Sequence, residues 1–380
     1  MSGKKSLLSA LLALALIFTS VLPVNADVAV SSPSVILIES STGEVIYEQN
    51  AAERRSPASI TKIMTLLLTF EAIESGKVSL TDQVTTSEYA SSMGGSQVYL
   101  AAGEVQTLDT MIKCIAVSSG NDASVAVAEH IAGSEAAFVD LMNQRAQELG
   151  MADTHFVNPT GLPAKGHVTS AHDIALMSRE LILNHPDIRR FTTIWTDSLR
   201  DGAFGLSNTN KLIRFYPGAT GLKTGSTDAA LYCLSATAER DGMELISVVM
   251  GAPTSTQRFE GAKVLLNYGF AAYGLAQAQP PQPLAPIPVI LGDQAAVTPR
   301  LAEDPTILAP KEKLAAMEVE VQMAESLSAP VDAGAEVGRM TVTSNGETLA
   351  SIPLTADAAV ARLSYWQIFQ RCLQKAFLAQ

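Results

Sequence analysis

The segment "RRSPASITKIM", residues 54 to 64, sets Ser59 and Lys62 three positions apart, just after Pro57 and at the start of an apolar run. Three residues is nearly one helical turn, so both side chains share one face of a helix's first turn. A hydroxyl beside an amine there is either a nucleophile beside its base or a pair of ordinary surface residues. The spacing alone decides nothing, because Ser2 and Lys5 repeat it and about one chance match is expected in a chain of ordinary composition. The run that follows, "SITKIMTLLLTFEAIESG", is apolar almost all round up to Gly76. That pattern predicts a central, fully buried helix.

The first 26 residues read as a secretory signal peptide. Lys4 and Lys5 give the positive start, "LLSALLALALIF" the apolar core, and Val24-Asn25-Ala26 the small residues of a cleavage site, with Asp27 as the mature N-terminus. The remainder is long enough for two domains. A net charge of −12 with no basic patch speaks against a nucleic-acid partner. Three cysteines, Cys114, Cys233 and Cys372, make no disulfide framework and read as small buried residues. The five histidines show no metal-ligand spacing, so no metal or other cofactor is expected.

Residues 34 to 48, "SVILIESSTGEVIYE", predict a hairpin. Helices are expected from Ser59, across 107 to 150, from Ser170 to Asn184 and from Ser255 to Gly269, with loop chemistry at 151 to 168. A second hairpin turns at Arg240-Asp241-Gly242. Strands at both ends with helices between predict an α+β domain, an antiparallel sheet covered by a helical subdomain, over residues 27 to 275. A proline-rich linker, 276 to 288, leads to a small β domain over 289 to 356 with a turn at Asn345-Gly346. Residues 357 to 380 predict an amphipathic helix. Leu363, Trp366, Phe369, Leu373 and Phe377 recur at near-helical spacing, and Arg362, Arg371 and Lys375 are cationic, which suits a membrane surface.

Two further elements follow Ser59 and Lys62 in order. Ser119-Gly120-Asn121 lies in "AVSSGNDAS" and Lys223-Thr224-Gly225 in "TGLKTGSTD". S-x-x-K, then S-x-N, then K-T-G is the signature of penicillin-recognising serine acyltransferases. The chain most resembles the D-alanyl-D-alanine carboxypeptidases among the low-molecular-mass penicillin-binding proteins. The likeness runs over about residues 30 to 275 through "SPASITKIMT", "SSGNDAS", "FVNPTGL", "NTNKL" and "GATGLKTGSTDAALYCL". It implies a penicillin-binding/β-lactamase-like transpeptidase domain, then a β-rich domain and a C-terminal anchor helix.

A serine hydroxyl needs a base, and Lys62 can serve only as a neutral amine, which burial and a second cation would secure. Lys223 is the expected second cation. The resemblance further implies that Ser119 relays protons, that Asn121 holds Lys62 and the substrate amide, and that the N–H groups of Ser59 and Ser226 bind the oxyanion. Lys223 and Thr224 would bind the terminal carboxylate, and Gly225 would leave room for substrate along the strand edge. The implied partners are peptidoglycan stem peptides ending in D-Ala-D-Ala, β-lactams as covalent inhibitors, and a membrane surface. His155, His167 and His172 read as loop residues without a role, and Asp173 as a helix-start residue. A class A β-lactamase is disfavoured by Ser-Gly-Asn in the middle motif and by the lack of a Glu-x-x-Leu-Asn segment. A non-catalytic penicillin-binding sensor is disfavoured by the intact motifs.

Overall fold

The computed structural model describes residues 28–378, so the expected signal peptide lies outside the described residues. Strand β1, Ser34–Glu39, is buried at all six positions. Ile36 and Ile38 enter one hydrophobic core and Val35 and Leu37 another. A strand covered on both faces carries an unbroken apolar run, which explains why "SVILIE" shows no polar alternation. It pairs with β2, Val45–Gln49, as the expected hairpin.

A 3-10 turn, Ala58–Thr61, leads into α1, Lys62–Glu74. Then come α2, Leu108–Ser118, α3, Asn121–Ala132, α4, Glu135–Glu148, and α5, Ala171–Asn184. Three of these starts are fixed by side-chain caps, in which Thr107, Ser134 and Ser170 accept from backbone N–H groups three residues on. Strands β3, Ala219–Thr227, β4, Leu231–Arg240, and β5, Met243–Ala252, complete an antiparallel sheet in the order β2-β1-β5-β4-β3. The helical group covers one face, and α6, Ser255–Ala272, covers the other. β3 is therefore the edge strand, and its Lys223-Thr224-Gly225 segment runs beside the 3-10 turn that carries Ser59.

Close backbone approach on both sides fixes that turn. A Cβ on Gly225 would meet Pro57 O at 2.9 Å and the N atoms of Ile60 and Ser59 at 3.0 Å. Gly225 is thus required by strand-to-turn packing, a firmer reason than room for substrate. On the other side lies Gly161, at φ +81°, where a Cβ would sit 1.8 Å from the Ala58 carbonyl oxygen.

Beyond α6 the chain continues directly as β6, Tyr273–Gln277, which pairs antiparallel with β7, Thr306–Pro310. The stretch expected as a linker is strand at both ends, because Gln277 opposes Thr306 and another strand begins at Ile287. β8, Met317–Met323, β9, Glu336–Ser344, and β10, Glu347–Ala356, form a four-stranded sheet with the strand Pro299–Leu301. Asn345 and Gly346, both at positive φ, make the tight turn between β9 and β10.

The terminal helix, α7, spans Tyr365–Leu378, eight residues later in its start than the sequence predicts. Residues before it are tied down as extended chain. Val360 pairs with Val331, Asp293 donates to the Ala361 carbonyl, and Leu363 donates to the Leu291 carbonyl. Leu363 is consequently a buried residue ahead of the helix and not part of its apolar stripe. Cys114 and Cys233 are buried as expected, whereas Cys372, on α7, is exposed. Among the described residues no helix is long and apolar enough to cross a membrane.

The tightness around Ser59 gives a direct expectation. Gly161→Ala combines left-handed φ with a backbone collision and should cost at least about 3 kcal/mol, read as a lower urea midpoint at unchanged slope.

Candidate active site

The 3-10 turn, α1, the α2–α3 junction and β3 converge on a cleft of about 130 Å³. It is lined by Ser59, Ser96, Ser119, Thr209, Thr224, Gly225, Ser226 and Arg258. Lys62, Asn121 and Lys223 are buried close behind. Ser59 follows Ala58, which sits at φ +49°; a non-glycine residue there is strained and persists only where packing enforces it.

Lys62 Nζ lies 2.9 Å from Ser59 Oγ and donates to Asn121 Oδ1 and to the Thr160 carbonyl, each at 2.6 Å. A neutral amine has two hydrogens and one lone pair. With two hydrogens committed to those acceptors, the remaining tetrahedral position of Nζ points at the Ser59 hydroxyl, where the amine presents its lone pair once it has lost its third proton. Burial first, and then the nearby Lys223 charge, hold the Lys62 pKa well below its ordinary value, with Asp122 opposing. Asn121 spends one amide hydrogen on the Gly94 carbonyl at 2.6 Å, which fixes its oxygen toward Lys62.

Ser119 caps α2 in the left-handed conformation, φ +63°, and among the described residues its buried Oγ has no hydrogen-bond partner. A buried hydroxyl left unpaired is costly, so this one is poised for a group that enters the cleft. Thr224 Oγ1 donates to Thr209 Oγ1 at 2.7 Å, which ties β3 to the "NTN" loop.

The charge in the site is arranged as a column of cations. Burial and the Arg258 charge push the Lys223 pKa down to about 7, and its Nζ donates to the Thr224 carbonyl. Arg258, from the first turn of α6, donates to the Gly225 and Cys233 carbonyls and to Ser255 Oγ, while its buried Nε has no partner among the described residues. No carboxylate reaches it in an ion pair among the described residues. Burial pushes its pKa down to about 10. A buried guanidinium lacking a counter-ion makes the site complementary to an anion.

All eight residues singled out in the sequence come together here. Two residues were missed. Arg258 carries no motif of its own, and only the packing of α6 against β4 and β5 brings it to the cleft. His167, expected in a surface loop, is buried and bonded to Thr61 Oγ1 at 2.8 Å. Asp173 is where the sequence puts it, in the first turn of α5, accepting from Asp153 N–H and Thr154 Oγ1. Glu71, Glu180 and His185 form the one metal-like grouping among the described residues. Arg145 already bridges the two carboxylates at 2.7 and 2.5 Å, so this is an ion-pair network at the far end of α1.

A buried lysine aimed at a serine, beside an edge strand backed by cations, defines an active-serine enzyme of the penicillin-interacting class. The chain belongs to the D-alanyl-D-alanine carboxypeptidase family, which it matches over residues 21–254. Residues 280–362 match the C-terminal domain of penicillin-binding protein 5. It is 42% identical to D-alanyl-D-alanine carboxypeptidase DacF of Bacillus subtilis over 92% of this chain and 91% of the relative. Penicillin-binding protein 5 from Haemophilus influenzae shares the fold with a TM-score of 0.81 and 30% identity, over 88% of this chain and 98% of that one. Penicillin-binding protein D2 from Listeria monocytogenes, solved in an ampicillin-bound form, has a TM-score of 0.56 and 32% identity, over 63% and 98%.

Buried His167 links the site to acid stability. Burial, His155 and Lys62 push its pKa down to about 4, while an unfolded histidine titrates near 6.5. Between those values the unfolded chain binds a proton that the folded chain does not, so stability falls as pH drops through that window. The melting temperature of the wild type should fall more steeply from pH 6.5 to 4 than that of His167→Gln.

Proposed function

We propose that this protein is an exported serine D-alanyl-D-alanine carboxypeptidase that removes the terminal D-alanine from peptidoglycan stem peptides. The observation that carries the reading is the buried Lys62 amine, held at 2.6 Å by Asn121 Oδ1 and by the Thr160 carbonyl and lying 2.9 Å from Ser59 Oγ.

Ser59 Oγ attacks the carbonyl carbon of the penultimate D-alanine while its proton passes to Lys62. The N–H groups of Ser59 and Ser226 stabilise the oxyanion as it forms. Collapse breaks the peptide bond, and the leaving amine takes a proton relayed through Ser119. Water, deprotonated in turn by Lys62, then hydrolyses the Ser59 ester and regenerates the hydroxyl. Thr224 and the unpaired Arg258 bind the terminal carboxylate, and Lys223 works beneath them, holding the Lys62 pKa down. The same nucleophile opens the strained amide of a β-lactam and keeps it as an ester, because among the described residues that line the cleft there is no glutamate of the kind that activates a deacylating water in class A β-lactamases. Trimming the stem peptide removes the donor bond for cross-linking, an action that suits the extracytoplasmic side.

Mature protein should release D-alanine from a diacyl-Lys-D-Ala-D-Ala peptide and form a long-lived penicillin adduct visible by intact mass. Ser59→Ala should lose both. In the same assay Arg258→Ala should raise KM about 10- to 100-fold, the range for losing a charged hydrogen bond. Rapid penicillin turnover without D-alanine release would establish a β-lactamase, and a stable adduct without release a sensor.

Helix α7 supports attachment to a membrane surface. Tyr365, Trp366, Phe369 and Leu373 are exposed on it, Trp366 stacks on Phe369, and Arg371 clasps the Gly292 and Asp293 carbonyls. Aromatic side chains on an interfacial helix seat at the headgroup boundary. Sedimentation with anionic vesicles should be lost in Trp366→Ser/Phe369→Ser, with D-alanine release from soluble peptide unchanged; equal sedimentation would refute the attachment.

A further inference from the structure

The loop from His155 to Val168 closes on itself through an antiparallel bridge, with N–H···O distances of 2.9 and 3.1 Å. Within it, His167 is 4% exposed and uses both ring nitrogens. Nδ1 accepts from the Val157 N–H at 3.2 Å. That acceptor role leaves the proton on Nε2, which donates to Thr61 Oγ1 at 2.8 Å. The ring stands edge-on to Phe156 at 5.9 Å.

Each end of this contact leads to the lysine amine. Thr61 immediately precedes Lys62 in the turn that carries Ser59. Val157 begins the short run that ends at Thr160, whose carbonyl takes the second hydrogen of Lys62. The run is stiff, because Asn158 Oδ1 accepts from the Thr160 N–H, Thr160 Oγ1 and the Gly161 N–H. A displacement at Val157 is therefore passed to the Thr160 carbonyl.

We infer that His167 is a positioning residue for the general base. As a neutral strut between Thr61 and Val157, it fixes the Thr160 carbonyl against Lys62 Nζ so that the amine's lone pair faces Ser59. The inference rests on the acyl-serine reading and extends it to a residue outside the three motifs. The charged and titratable groups that bear on the pair are few. Lys223 from β3 and Asp122 from α3 act on Lys62, and His155 and Lys62 act on His167. None of them supplies a counter-charge to an imidazolium from within the loop, so the strut works in its neutral form, consistent with the depressed histidine pKa. A second tie, Thr65 Oγ1 donating to the Pro159 carbonyl at 2.7 Å, keeps the loop in place without the imidazole. Loss of His167 should loosen the site without unfolding it.

Burial is the largest cause that holds the Lys62 pKa down. Loosening the loop admits water, raises that pKa, and moves the acid limb of Ser59 acylation to higher pH. The test is single-turnover acylation by a chromogenic β-lactam, followed against pH in the full mature chain, for wild type, His167→Gln, Thr61→Val and the double variant. The expected result is a limb shifted upward by about half a pH unit or more and a rate near pH 7 lowered about tenfold. The noncovalent β-lactam affinity should be unchanged, and the double variant should be no slower than the slower single variant, because both substitutions cut the same strut. A lowered melting temperature with an unmoved limb and a rate within twofold of wild type would overturn the inference, leaving His167 a packing residue. Additive losses in the double variant would overturn it too. Failure of the wild type itself to acylate would instead overturn the acyl-serine reading.

Discussion

A primary amine whose charged form is disfavoured by burial is the constraint on which the rest of the catalytic half depends. An ordinary lysine is protonated and cannot accept a proton from serine. Lys62 is pushed away from that state because it is removed from water and faces Lys223, while a carboxamide and a backbone carbonyl hold two of its hydrogens. Each of those features comes from a different part of the chain. The apolar α1 supplies the burial, β3 supplies Lys223, the α2–α3 junction supplies Asn121, and the 155–168 loop supplies the Thr160 carbonyl. The sheet and the helical group hold four separate segments to one another within hydrogen-bond tolerance.

That arrangement is expensive in stability. Lys62, Lys223 and Arg258 are buried together, with Asp122 the one nearby carboxylate that acts on Lys62. Ala58 and Ser119 are held at positive φ on either side of the cleft. Backbone strain of this kind costs on the order of 1–3 kcal/mol per residue. The two cores on either face of the sheet offset it, and a substrate carboxylate would relieve part of the repulsion between Lys223 and Arg258 on binding. The cleft is thus a low-stability feature maintained by a well-packed frame, which is why glycines at 161 and 225, with no direct chemical role, tolerate no side chain.

The two halves of the molecule are joined by structure and not by slack chain. β6 leaves the catalytic half as a strand and is paired at once by β7, and Lys311 Nζ donates to the Phe270 carbonyl at 2.7 Å. The final helix is in turn clasped through Arg371. Orientation passes along the chain from cleft to terminal helix through hydrogen-bonded elements.

The sequence by itself determined the α+β architecture, the buried α1 and the three motifs, because these rest on local periodicity and on residue types whose chemistry survives out of context. Ser59, Lys62, Ser119, Asn121 and Lys223 to Ser226 were legible for that reason. The sequence also showed an amphipathic tail, but periodicity could not say where the helix starts, since the pairing of Val360 with Val331 is a long-range contact. Arg258 and His167 were invisible for a similar reason. An arginine in a helix and a histidine in a polar loop look ordinary until tertiary packing strips one of its counter-ion and sets the other between Thr61 and Val157. Only the fold decides which polar groups lose their water, and the loss of water gives Lys62, Arg258 and His167 their properties.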